Sequence, residues 1–250
     1  MPLALVTGAT AGIGAAFVDA LAARGYDLVV VARDVERLRR QAPPGAEVLG
    51  ADLATDEGCA LVEARCAQGI DLLVNNAGMG MGRAFEEASA DDEDQLLRLN
   101  VRAVLRLTHA AIGPMLAQGS GAVLNISSVA GFSPGVRGAT YSASKAWVTN
   151  FSESLDLQYR GRGVRCVAVC PGFTRTEFHE RAEIDTRGIP SKLWLTTDQV
   201  VAEAFKDLDR GRSVSVAGLQ YKAIVAATRV LPPSVRRRAS AVAQSRFKPH

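Results

Sequence analysis

Two kinds of stretch alternate along the chain. Short, almost wholly apolar runs cover Leu3–Thr7, Asp27–Ala32, Glu47–Gly50, Asp71–Val74, Gly121–Ile126, Val164–Cys170 and Ser213–Val216. Near-continuous apolar runs are what strands covered on both faces require. Between them the apolar positions recur every three or four residues, the helical period. Phe17, Val18, Leu21 and Ala22 mark the first helix; Asp34 stands where it would cap a second, Val35–Arg40, and Thr55 where it would cap Thr55–Gln68. Leu96, Leu99, Val104, Leu107 and Ala111 stripe a long helix over Asp91–Leu116, and Tyr141–Tyr159 and Thr197–Asp209 complete the set. Strands alternating with helices predict a Rossmann-like α/β fold: one domain, a doubly wound parallel sheet of about seven strands with helices on both faces. Residues 177–197 are charged and irregular and read as a lid. The last 33 residues read as helical and basic, broken at Pro232-Pro233, with a tail at about 232–250.

Composition agrees with a packed, water-borne domain. Of 250 residues 48% are apolar and 22% charged, enough to bury a core. No run of about 18 apolar residues offers a membrane span. The start, Met1-Pro-Leu-Ala-Leu-Val, enters a strand with no basic leader, so a cytoplasmic location is expected. Cys59, Cys66, Cys166 and Cys170 lack metal-ligand spacing and read as reduced core thiols. Neither a metal nor a nucleic-acid partner is expected.

Charge changes the picture at one end. The net +3 hides eight bases and no acid after residue 210, leaving 21 of the 29 bases against all 26 acids before it. Tyr221–Val230 is helical in pattern, with Ile224, Val225, Ala227 and Val230 on one side. A basic amphipathic segment can lie on an anionic membrane or attract an acyl thioester or its carrier. The alternative is a helix packed on the domain and a solvated tail.

The chemistry gathers at strand ends, the edge where such sheets bind ligands. Gly8-Ala-Thr-Ala-Gly12-Ile-Gly14 joins a strand to a helix, so backbone can approach a pyrophosphate at the helix N-terminus. Its spacing is G-x-x-x-G-x-G. An acid ending the second strand would bind the ribose hydroxyl of NAD; Arg33 stands there, which favours the 2′-phosphate of NADP. Asp52-Leu53, Asn75-Asn76-Ala77-Gly78, Ser127-Ser128 and Pro171-Gly172-Phe-Thr174-Arg-Thr176 end later strands. Met79, Met81 and Phe85 are candidate pocket wall, and Asn100 is an amide in an apolar stripe, so it is either a structural pin or part of a site. Tyr141 and Lys145, four apart at a helix start, share one face. A neighbouring ammonium would pull the phenol's pKa down, towards the range of acid–base catalysis.

Taken together, Thr7-Gly8-x-x-x-Gly12-x-Gly14, Asn75-Asn-Ala-Gly78, Asn100, Ser128, Tyr141-x-x-x-Lys145 and Pro171-Gly172-x-x-x-Thr176 closely resemble the short-chain dehydrogenase/reductase family over roughly residues 3–176. The resemblance implies NAD(P)-dependent interconversion of a carbonyl (ketone, aldehyde or 3-oxoacyl group) and an alcohol. Tyr141 would be general acid or base, Lys145 would lower its pKa and hold the nicotinamide ribose, and Ser128 would hold the carbonyl, its spacing to Tyr141 selecting it over Ser127. Asn100 would organise a water beside Lys145. Gly8, Thr10, Gly12, Ile13, Gly14, Arg33, Asp52, Leu53, Asn76, Ala77, Gly78, Pro171, Gly172, Thr174 and Thr176 would line the coenzyme, with Asp52 at the adenine and Thr176 at the carboxamide. NADP(H) is expected over NAD(H), although Ala11 stands where many NADP-dependent members carry a base. A homodimer or homotetramer, paired through Asp91–Leu116 and Tyr141–Tyr159, is also implied. A non-catalytic dinucleotide sensor or scaffold on the same fold is the competing reading, and the intact Asn100, Ser128, Tyr141 and Lys145 set speaks against it.

Overall fold

The computed structural model describes residues 1–135, 137–232 and 234–235. Seven parallel strands form one sheet in the order β3-β2-β1-β4-β5-β6-β7. The strands are β1 (Leu3–Thr7), β2 (Asp27–Ala32), β3 (Glu47–Gly50), β4 (Leu72–Asn75), β5 (Gly121–Ile126), β6 (Val164–Val169) and β7 (Val214–Ser215). The chain steps outward from β1 to β3, returns to β4, and steps outward again. The reversal between β1 and β4 opens the crevice at the strand ends in which such sheets bind ligands.

The crossovers are α1 (Gly12–Ala22), α2 (Val35–Gln41), α3 (Asp56–Ala67), α4 (Ala90–Leu97), α5 (Val104–Gln118), α6 (Ala139–Tyr159), a short α7 (Phe178–Arg181), α8 (Thr197–Asp209) and α9 (Leu219–Val230). Both proposed caps form: Asp34 accepts from the Arg37 amide at 2.9 Å and Thr55 from the Gly58 amide at 3.0 Å. Alternating residues of a strand face opposite helix layers. Leu5, Val29 and Leu73 pack beneath α3 and α5, while Ala4, Val30 and Leu72 pack beneath α1 and α8.

Three expectations are corrected. The single helix over Asp91–Leu116 is interrupted by a π-helical turn, Arg98–Ala103, which absorbs one extra residue and centres on Asn100. The lid is not wholly irregular: α7 and a tight turn at Ser191–Leu193 stiffen it, and Trp194 packs against His179 and Phe173. On α9 the inward side is Tyr221 and Val225, whereas Ile224 and Val230 are exposed, because the helix lies on the domain by the turn that carries Tyr221. The basic tail, beyond its first residues, lies outside the described residues. All four cysteines are buried and unpaired. Among the described residues no helix is long and apolar enough to cross a membrane.

Candidate active site

The strand ends open into one cleft of about 1420 Å³. That exceeds the ~300–1,000 Å³ of a usual small-molecule pocket and leaves room for a dinucleotide and a second molecule. At one end stands the glycine turn. Gly8 and Gly12 have φ of 65° and 58°, the left-handed region that glycine takes without strain. A Cβ at Gly14 would collide with the Gly8 carbonyl oxygen and with the Asn76 side chain. Asn76 Nδ2 donates to the carbonyls of Thr7 and Gly8 at 2.9 and 3.1 Å, so the turn is tied to the end of β4. Thr7 Oγ1 accepts from the amides of Asn76 and Ala77. The residue capping α1 is Ala11, whose side chain accepts no hydrogen bond. The first-turn amides therefore keep their donors for an anion. This cradle fits a pyrophosphate.

Thr10, Ile13, Arg33, Asp52, Leu53, Ala77, Gly78, Pro171, Gly172, Thr174 and Thr176 all line the same cleft. Arg33 lies 4.0 Å from Asp52 and is well exposed, so a phosphate has access to its guanidinium. The Thr174 hydroxyl is spent on the Gly172 carbonyl at 2.9 Å, and Thr176 lies against Gly12.

At the other end the two serines part ways. Ser127 is buried and donates to the Lys145 carbonyl at 2.7 Å, a structural bond. Ser128 faces the cleft beside Tyr141, and its hydroxyl oxygen accepts from the Ala130 amide at 3.1 Å. Asn100 is wholly buried: its Oδ1 accepts from the Met79 amide at 2.9 Å, and its Nδ2 donates to the Met79 carbonyl at 2.8 Å and to Ser144 Oγ at 3.3 Å. It pins the loop after β4 to α6. A Cβ at Gly78 would stand 3.1 Å from Asn100 Oδ1 and 3.5 Å from Lys145 Nζ, so these three groups converge.

The electrostatics differ from the sequence expectation. Burial pushes the Tyr141 phenol up to about 12, eased by Ser128, and brings the Lys145 ammonium down to about 8. Lys145 Nζ donates to the Ile126 carbonyl at 2.8 Å and lies 5.8 Å from the centre of the Tyr141 ring. At that distance the loss of water around both groups outweighs their mutual effect.

Two further residues of the cleft, Arg37 and Glu177, stand out only in the structure. Arg37 Nη2 meets Glu177 Oε1 at 2.8 Å across the cleft, joining α2 to the start of the lid, and Arg181 pairs with the same carboxylate. A signal existed for Arg37, which stands four residues after Arg33, in the first turn of α2. None existed for Glu177. Phe178, also unforeseen, lies 5.8 Å from the Tyr141 ring, centre to centre.

A single seven-strand parallel sheet with this glycine turn and this Ser–Tyr–Lys cluster defines a dinucleotide-dependent oxidoreductase architecture. The short chain dehydrogenase family model matches residues 2–186, and the chain belongs to that family. The 3-oxoacyl-[acyl-carrier-protein] reductase of Aquifex aeolicus is 34% identical over 185 residues, covering 70% of this chain and 75% of the relative. A short-chain dehydrogenase from Sphingobium yanoikuyae, solved in complex with NADPH, is 36% identical with a TM-score of 0.83, covering 92% of this chain and 94% of that one. The bulky-bulky ketone specific alcohol dehydrogenase of Comamonas testosteroni is 33% identical with a TM-score of 0.79, each chain covered to 92%.

Proposed function

We propose that this oxidoreductase interconverts a carbonyl and an alcohol with NADP(H) in preference to NAD(H), and that Tyr141 is the proton donor and acceptor. The observation that carries the reading is the convergence of Ser128, Tyr141 and Lys145 on one end of a cleft whose other end is an anion cradle beside Arg33. The bound coenzyme supplies the hydride. Ser128 and Tyr141 hold the carbonyl oxygen between two hydroxyls. A phenol held near 12 keeps its proton at neutral pH and gives it to that oxygen as negative charge develops there. Lys145, still protonated at neutral pH with its pKa near 8, stands beside the ring as the nearest cation and holds the nicotinamide ribose. Asn100 keeps the loop at Met79 against α6, and with it the floor of the site. Thr176 and Asp52 hold the carboxamide and adenine ends. Arg33 meets the 2′-phosphate.

The NADPH-bound neighbour supports the coenzyme choice, and the ketone-specific and 3-oxoacyl relatives support the carbonyl. The chain pairs through α4, α5 and α6, on which Leu97, Leu105 and Leu157 are exposed. Light scattering at micromolar concentration tests this, and a monomeric mass rejects it.

The decisive experiment scores a panel of ketones, aldehydes and 3-oxoacyl thioesters with NADPH and NADH, in the wild type and in Tyr141→Phe. Tyr141→Phe should lose at least about a hundredfold in turnover while NADPH binds within a factor of about two, since the cradle lies elsewhere. Turnover above a tenth of wild type removes Tyr141 from the role. NADPH binding with no turnover of any carbonyl favours the sensor reading instead.

A further inference from the structure

Beyond Ser128 the cleft has a branch that neither the coenzyme cradle nor the reacting carbonyl needs. A tight turn, Val129–Phe132, follows Ser128 directly, and α9 packs on it. The wall of the branch is Phe132, Phe173, Tyr221, Ile224, Val225 and Leu231.

Every side-chain polar group on this wall is already used within the protein. The Tyr221 hydroxyl donates to the Leu193 carbonyl at 2.7 Å and accepts from the Phe173 amide at 3.0 Å. The second hydroxyl on α9, that of Thr228, donates to the Val225 carbonyl at 2.8 Å. These six side chains therefore present almost only hydrocarbon; the one polar ring packed on them is His179, which lies 5.5 Å from the Phe173 ring, centre to centre. A polar substituent placed here would leave its own hydrogen bonds unmade, at a cost larger than any contact would return.

Another part of the cleft lining is unlike it. There Arg83 pairs with Glu183 at 2.9 Å, and Arg137 donates to the Gly82 carbonyl at 2.8 Å and pairs with Glu87. The cleft around Ser128 and Tyr141 is thus lined both by ion pairs and, along α9, by a run of apolar side chains. The apolar wall also runs outward. Tyr221 and Val225 are 3% and 6% exposed, whereas Leu231 and Ile224 are 37% and 47% exposed.

We propose that the branch along α9 receives an extended apolar substituent of the substrate, and that Ile224, at its mouth, sets how long that substituent can be. The substrate class is a carbonyl with unequal arms, one of them a hydrocarbon chain or ring system. This rests on the carbonyl–alcohol reading above and names the substrate class for it.

The test uses a homologous series of 2-alkanones and the matching 2-alkanols. In the wild type, kcat/KM for the ketones should rise about threefold to fourfold for each methylene buried, until the chain passes Ile224 and Leu231. Ile224→Trp blocks the mouth from a half-exposed position and should flatten that rise, while kcat/KM for 2-butanone stays within a factor of about two. The same slopes are read without turnover by calorimetry of the 2-alkanols on the NADPH-saturated protein, a pairing that cannot react. A steep alcohol series flattened by Ile224→Trp supports the branch even if no ketone turns over, in which case only the carbonyl reading falls. A flat series in the wild type, or an equal slope in Ile224→Trp, overturns the branch.

Discussion

The two ends of the cleft are held by different kinds of force. The coenzyme end is built from backbone and short side chains. Asn76, Thr7 and the glycine turn are joined across almost seventy residues of sequence by part-buried hydrogen bonds, and a single added carbon at Gly14 has nowhere to go. The substrate end is built from long side chains, surface ion pairs and apolar area. Exposed pairs of that kind contribute only about 0.2–1 kcal/mol each. The first end is specified by covalent geometry and tolerates almost no substitution. The second is specified by shape, and can be reshaped without loss of the fold. Four predictions break or sharpen this contrast.

The largest effect is expected where the two ends meet. Lys145→Met should reduce turnover by roughly a hundredfold or more. It should also reveal the cost of a buried ammonium. Between pH 8 and 10.5 the unfolded chain holds a proton on Lys145 that the folded chain has released, so stability gains with pH across that window. The wild type should therefore become more stable relative to Lys145→Met as pH rises from about 8 to 10.5, a change of about 3 kcal/mol in full. Denaturation of both proteins across that range checks it, and a pH-independent difference contradicts it.

Gly14→Ala comes next. Its methyl group would strike the Gly8 carbonyl and Asn76, an overpacking cost of about 1–3 kcal/mol, with coenzyme binding lost in parallel. Thermal unfolding and coenzyme titration on one sample measure both. A variant with unchanged melting and unchanged binding would show that the turn can open.

At the exposed edge of the coenzyme end, Arg33→Ala should weaken NADPH about tenfold, the scale of a charge-assisted hydrogen bond, and leave NADH nearly unaffected. Equal losses for the two coenzymes would make Arg33 structural. The smallest effect belongs to the bridge between the ends. Glu177→Gln removes the partner of Arg37 and should speed NADPH release by roughly twofold to fivefold, since the pair is exposed. Stopped-flow displacement reads this, and added salt should bring the wild type towards the variant. No change in either would mean that the bridge carries no load.

The same contrast explains what could be read in advance. A sheet buried on both faces leaves apolar runs, so all seven strands appear in the sequence, most within a residue of their ends. The coenzyme end also left its marks, because turns that need left-handed backbone or close approach must be glycine, as at Gly8, Gly12 and Gly14. The substrate end left few. Glu177 reaches Arg37 across 140 residues, and no local pattern announces such a meeting. Ile224 and Val225 look alike in a helical stripe, yet one is buried and the other half exposed, which only the docking of Tyr221 decides. The Tyr141–Lys145 pair was legible as a pair, but its proton affinities follow from how little water reaches it, a property of the whole site.

The π-helical turn at Arg98–Ala103 has a consequence for how this chain can change length. Leu96 before the turn and Leu107 and Ala111 after it are all buried, so the extra residue is accommodated without turning either flank away from the sheet. Removing one residue from the turn would rotate everything on one side of it by about 100°, the angle of one residue in a helix that has 3.6 per turn. Asn100 or the stripe of α5 would then face the wrong way. Gains and losses of single residues should therefore be purged from this helix as strictly as substitutions of Asn100 itself, whereas the exposed connections near Gly25, Gly45 and Gly69 can lengthen freely.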